Sequence, residues 1–102
     1  MKAVRIHGHG GPELLRYEDV PDPSPGPGGV LIDLKAVGVN YADIGERLGR
    51  IPMELPAVVG REAAGVVSQV GEGVSEVEMG DLVAYTGVGA SYAERVVAPS
   101  RL

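Results

Sequence analysis

Asn40, Tyr41 and Asp43, in the run VGVNYADI, form the densest group of chemistry-bearing side chains in the sequence. They fall where an alternating apolar stretch stops and a helical spacing begins, a junction at which backbone N–H groups and short polar side chains converge. Asn40 offers both a donor and an acceptor, and Asp43 a carboxylate. Two readings of this pair stand: a helix cap with its first-turn acid, which accounts for both residues, or part of a ligand site. Tyr41 is either a core ring or a stacking platform, and with Tyr17, Tyr41, Tyr85 and Tyr92 as the only rings in the chain the core is the expectation. Glu62 stands beside Arg61, and alternation sends the two side chains to opposite faces. With no second acid in reach, Glu62 reads as a structural carboxylate paired to a backbone donor or a distant arginine rather than an acid–base group. His7 and His9, two residues apart in HGHGGP, lack a nearby third ligand and make an incomplete metal site. A solvent-facing turn without metal is expected there.

The signatures that are missing exclude several chemistries. There is no G-x-G-x-x-G after a strand, no G-x-x-x-x-G-K-[ST], no H-E-x-x-H and no G-x-S-x-G, so no dinucleotide or nucleotide cradle, zincin motif or nucleophile elbow is present. The absence of cysteine removes disulfides, thiolate nucleophiles and zinc sites built on sulfur. A formal charge of −5 gives no attraction to phosphate backbones or anionic lipid, so neither nucleic acid nor a membrane surface is an expected partner. The start, MKAVRIHGHGG, lacks the apolar core of a secretory signal, and no apolar run approaches the ~20 residues of a membrane span. A soluble, cytoplasmic protein is expected.

Positioning these residues falls to strands. The 102 residues suit one compact domain, and 16 glycines and 8 prolines between aliphatic runs imply many short strands joined by turns. Lys2 to Ile6 reads as a strand, HGHGGP as a turn, and Glu13 to Val20 as a second strand. Pro21 to Gly29, PDPSPGPGG, can hold neither helix nor central strand. Val30 to Val37 alternates most cleanly, with Val30, Ile32, Leu34 and Ala36 facing inward. A short helix follows, capped by Asn40, with Asp43 at its third position, Ile44 and Leu48 sharing a face, and Gly49 as the stop. At about two turns it must be held by packing on the sheet. Ala57 to Val70 reads as one bent strand or two, in which Gly60 and Gly65 mark bends or close backbone approach. Leu82 to Thr86 and Tyr92 to Ala98 complete six or seven strands. The expected fold is mostly β, a partly open antiparallel barrel with one or two short helices.

The segments MKAVRIHGHGGPELL, VLIDLKAVGVNYADI, PAVVGREAAGVVSQVGEGVSEVEMGDLVAY and ASYAERVVAP together resemble the N-terminal catalytic domain of the medium-chain dehydrogenase/reductase superfamily, over nearly the whole chain. Within it they are similar to the zinc-free quinone oxidoreductase branch, which includes enoyl reductases. The resemblance implies a GroES-like β-barrel over residues 1–102, NADPH as cofactor and a small-molecule electrophile such as a quinone or enone as substrate. It places Asn40, with Asp43 and Tyr41 beside it, near the nicotinamide and the substrate. The zinc alcohol dehydrogenases carry Cys at the position of Asn40 and His at that of Arg61, so the resemblance implies no zinc. One departure is that the tyrosines of quinone reductases align with Gly45 and Ile51. A Rossmann domain would lie outside this chain, so the chain alone is expected not to catalyse reduction, and its open edges are expected to make it a homo-oligomer. The alternative is a stand-alone binding or assembly module without catalytic activity.

Overall fold

Among the described residues seven strands form, six of them on aliphatic and β-branched runs, and glycine or proline stands at or just beyond the end of each. The computed structural model describes residues 1–101. Its elements are β1 (Lys2–Ile6), a 3₁₀ turn (Pro12–Leu14), β2 (Arg16–Asp19), β3 (Gly29–Val37), α1 (Tyr41–Leu48), β4 (Ala57–Val58), β5 (Glu62–Val70), β6 (Leu82–Thr86) and β7 (Arg95–Pro99). All strand pairs are antiparallel, in two sheets ordered β2-β1-β4 and β6-β5-β3-β7. The segment before β7 joins the sheets: Ala93 bridges Ala3, and the Tyr92 carbonyl accepts from the Val4 N–H at 2.8 Å. This is a partly open antiparallel barrel, mostly β, as the sequence implies. Among the described residues, no helix is long and apolar enough to cross a membrane.

The core of the larger sheet is aliphatic, with Val30, Ile32, Val67, Val96 and Ala98 packed around Tyr85. Ile6 is fully buried on the smaller sheet. Val30 and Ile32 face inward as the alternation implies, but Ala36 is exposed. Lys35 is an extra residue between Leu34, which pairs with Gly65, and Ala36, which pairs with Ala64. A bulge of this kind moves every later side chain to the opposite face.

Other boundaries differ for local reasons. Pro12 starts a 3₁₀ turn that takes Glu13 and Leu14, so β2 begins only at Arg16 rather than at Glu13. Ala57 to Val70 is two strands, broken at Gly60 and Arg61. Tyr92 and Ala93 turn to β1, and Glu94 is shared, its N–H donating to the Lys2 carbonyl and its carbonyl accepting from the Leu34 N–H of β3, so β7 is shorter than the alternation suggests.

Salt bridges on the smaller sheet give stability a pH dependence. Hydrogen bonds from Arg5 and then His7 hold the Glu18 carboxyl below its ordinary range, and the N-terminal ammonium does the same for Asp22. Carboxyls whose folded-state values are depressed stabilise fully above their unfolded values, and that contribution is lost as pH falls through the folded values. Melting temperature is therefore expected to fall on acidification below about pH 4.5, the ordinary carboxylate range. The slope should shrink in Glu18→Gln, which thermal melts across pH 2 to 6 would read on the order of single-unit steps.

Candidate functional site

β3 delivers the chain through Gly38 and Val39 to Asn40, whose extended backbone (φ −125°, ψ 156°) makes it the N-cap of α1. Asp43 Oδ2 accepts from the Asn40 backbone N–H at 3.0 Å, and the Asp43 N–H returns to the Asn40 carbonyl at 3.0 Å. This closes the first turn as the capping reading requires. Asp43 has a further partner: Oδ2 also accepts from the Tyr92 hydroxyl at 2.6 Å. Its other oxygen, Oδ1, is buried and unpaired. Burial first, and then the bond to Asp43, hold the Tyr92 phenol well above its ordinary range.

The face α1 presents to the sheets is acidic, not aliphatic. Asp43 and Glu46 are its buried residues, whereas Ile44 and Leu48 remain 39% and 38% exposed. Apolar packing therefore holds the helix only in part. Polar tethers add to it: Asp43 to Tyr92, Glu46 Oε1 accepting from the Gly60 N–H at 3.0 Å, and Arg47 Nη1 donating to the Gly10 carbonyl at 2.9 Å. Burial pushes the Glu46 carboxyl above its ordinary range, against the opposing Gly60 bond. The periodicity showed the helix but not this inversion, because a buried carboxylate is recognised only by partners distant in sequence.

A cleft of about 460 Å³ opens over the start of α1, lined by Leu15, Asn40, Tyr41, Asp43, Ile44 and Tyr92. Val39 and Tyr41, 82% and 80% exposed, stand at its edge. The expectation of Tyr41 in the core is thus corrected: as the first residue of a helix whose buried positions are Asp43 and Glu46, it projects outward. A second cleft of about 360 Å³ shares Val39 and Tyr92 with the first and adds Ala3, Val4 and Tyr17. The largest cleft, about 750 Å³, runs between the ends of β3, β5 and β6, where small apolar side chains accompany Glu62, Tyr85 and Thr86. More polar side chains meet at the 460 Å³ cleft, where Asn40, Tyr41, Asp43, Arg47 and Tyr92 all lie, which makes that cleft the candidate site.

Of the residues singled out from sequence, Asn40, Tyr41 and Asp43 meet at this cleft. Glu62 lies at the larger one, and its backbone carbonyl accepts from the Gly38 N–H at 2.9 Å. His7 pairs with Glu18 at 2.6 Å while His9 packs against Gly49, so the two histidines diverge. Among the described residues, no cluster of three or more potential metal ligands occurs. Tyr92 was not marked by any local spacing; its only signal is the alternating run before β7.

Val39 and Tyr41 thus present exposed apolar and aromatic faces beside Asn40, the residue that carries both a donor and an acceptor. No glycine-rich strand-to-helix turn for a diphosphate occurs among the described residues.

This architecture, two antiparallel sheets with a capped helix over an open cleft, is that of a GroES-like domain. Residues 26–102 match the alcohol dehydrogenase GroES-like domain family, and the chain belongs to it, within the medium-chain dehydrogenase/reductase superfamily. A quinone oxidoreductase of Salmonella typhimurium is 42% identical over 83 residues, covering 80% of this chain and 25% of that protein. One from Pseudomonas aeruginosa is 39% identical over 104 residues, 99% of this chain and 32% of the relative. The structure of Escherichia coli quinone oxidoreductase complexed with NADPH superposes with a TM-score of 0.94 at 33% identity, covering 98% of this chain and 31% of that one. The chain thus spans about a quarter to a third of the length of these relatives.

Proposed function

We propose that residues 1–102 form the acceptor side of a hydride-transfer cleft in a zinc-independent, NADPH-dependent reductase of quinones or enones. The observation that carries this reading is the convergence of Asn40, Asp43 and Tyr92 on one cleft edged by the exposed Val39 and Tyr41. The nicotinamide supplies a hydride when bound. Asn40 orients the ring or the acceptor carbonyl, Tyr41 and Val39 flank the flat faces, and Asp43 holds the turn that presents Asn40. Asn40 and Arg61 at the positions of zinc ligands in metal-dependent relatives support chemistry without zinc. Quinone oxidoreductases among the relatives, one of them complexed with NADPH, support the acceptor and cofactor classes.

Catalysis by positioning needs both reactants held at once, and this cleft supplies one wall. The cofactor-binding fold is therefore assigned to polypeptide outside residues 1–102. The exposed edge of β6, where Leu82 is 84% exposed, favours self-association. The test mixes the 102-residue chain with 1,4-naphthoquinone and NADPH, following amide resonances and cofactor absorbance, with sedimentation run in parallel. Naphthoquinone is expected to shift Asn40 and Ile44 without NADPH oxidation, and the chain to sediment as a dimer or larger. Turnover by the bare chain overturns the assignment of the missing wall, and absence of any shift at Asn40 overturns the acceptor reading.

A further inference from the structure

Asp43 is 7% exposed, and both of its side-chain hydrogen bonds converge on one oxygen, Oδ2. Oδ1 contributes none. The orientation of the carboxylate, and with it the Asn40 N–H that the carboxylate accepts, therefore depends on what holds Oδ2. Within α1 that is only the Asn40 amide itself, a bond that closes a turn but does not fix the turn against the sheets. The external anchor is the Tyr92 hydroxyl at 2.6 Å, from a residue 49 positions away in sequence.

Tyr92 is held from several sides. Its N–H donates to the Val59 carbonyl at 2.9 Å, and its carbonyl accepts from the Val4 N–H at 2.8 Å. Its ring lies so close to Gly60 that a Cβ there would sit 2.4 Å from Cδ1. The same ring lines both the 460 Å³ cleft and the 360 Å³ cleft beside it. It thus has a rigid base, a hydroxyl aimed at the helix cap and a face on the site.

We propose that Tyr92 is a positioning residue of the acceptor cleft: acting through Asp43 it fixes the Asn40 backbone, and so the direction from which Asn40 meets a bound ring. What the cleft binds rests on the function proposed above; the chain of bonds from Tyr92 to Asn40 does not. Charge-assisted hydrogen bonds such as this one are stronger than neutral ones, and a buried carboxylate that loses such a partner becomes free to turn.

The test uses the ¹⁵N-labelled 102-residue chain and reads amide hydrogen exchange at Asn40 together with binding of 1,4-naphthoquinone. Tyr92→Phe keeps the ring and removes the hydroxyl. Exchange at Asn40 is expected to accelerate about tenfold while the amides of the β3–β5 ladder keep their wild-type rates, and naphthoquinone affinity is expected to fall by a similar factor. A purely structural role would instead move the ladder and Asn40 together. Asp43→Asn, which keeps the shape but makes the acceptor neutral, provides a second route to the same readout, with a smaller acceleration. Wild-type exchange at Asn40 in both variants overturns the inference even if naphthoquinone binds. Acceleration at Asn40 in a chain whose wild-type form binds no naphthoquinone upholds the positioning and overturns the acceptor reading alone.

Discussion

Gly65→Ala is expected to lower the unfolding free energy by about 3 kcal/mol or more, at the upper end of what overpacking a core costs. An added Cβ would lie 2.1 Å from the Asp33 carbonyl oxygen and 2.9 Å from the Leu34 Cα, both backbone atoms of the neighbouring strand. A flexible side chain could swing away; a strand held on both edges cannot. β3 is bonded to β5 on one side and β7 on the other, so relief would require prising apart the centre of the larger sheet. For a domain of this size the whole stability is on the order of 5–15 kcal/mol. With about 4–8 °C lost per kcal/mol, melting should drop by more than about 12 °C. Gly89→Ala, where an added Cβ meets nothing within 4 Å, should melt within a few degrees of wild type. A Gly65→Ala chain as stable as that control would show that β3 and β5 do not approach as described.

Gly65 is legible in the sequence as a bend or a place of close approach, because a glycine inside an otherwise aliphatic strand contributes no packing of its own, and the structure settles it as the second. The larger fold was legible for similarly local reasons. Alternation revealed β3 and β7, a long run of small apolar residues revealed β4 and β5 together, proline and glycine clusters revealed the breaks, and Asn40 with Asp43 three residues on revealed the cap. What the alternation could not carry is a change of phase. Nothing in the residue types around Lys35 announces the bulge that turns Ala36 outward, since that bulge is settled by how β3 meets β5. The site follows the same division. Asn40, Tyr41 and Asp43 are contiguous and were read together, but the assignment of Tyr41 to the core rested on the scarcity of rings. The buried side of α1 turned out to be claimed by two acids whose partners, Tyr92 and Gly60, lie 49 and 14 residues away. Tyr92 was invisible for the same reason: its importance comes from a bond across the fold, not from its neighbours in sequence.

Gly60 shows how tightly that long-range arrangement is drawn, and Gly60→Ala is expected to cost about 4 kcal/mol, combining strain with overpacking. Its backbone stands at φ +104°, a conformation that side chains with a Cβ rarely adopt, and the added carbon would meet Tyr92 at 2.4 Å from Cδ1 and 3.0 Å from the backbone nitrogen. Unlike Gly65, the obstruction here includes a ring that can shift, so part of the cost should appear as displacement of Tyr92 from Asp43. The Gly60 N–H is also the donor to Glu46, so the same substitution strains the second tether of α1. The two alanine variants are therefore expected to separate. Both lower the melting temperature, but only Gly60→Ala should release the Tyr92 phenol toward its ordinary range, because desolvation and the Asp43 carboxylate are what hold it high. Tyrosinate absorbance followed through an alkaline titration reads this directly, with Tyr92→Phe identifying the Tyr92 component. If the high-titrating phenol persists in Gly60→Ala, the strain is absorbed elsewhere, and the contact between Gly60 and the Tyr92 ring is not what seats the helix over the cleft.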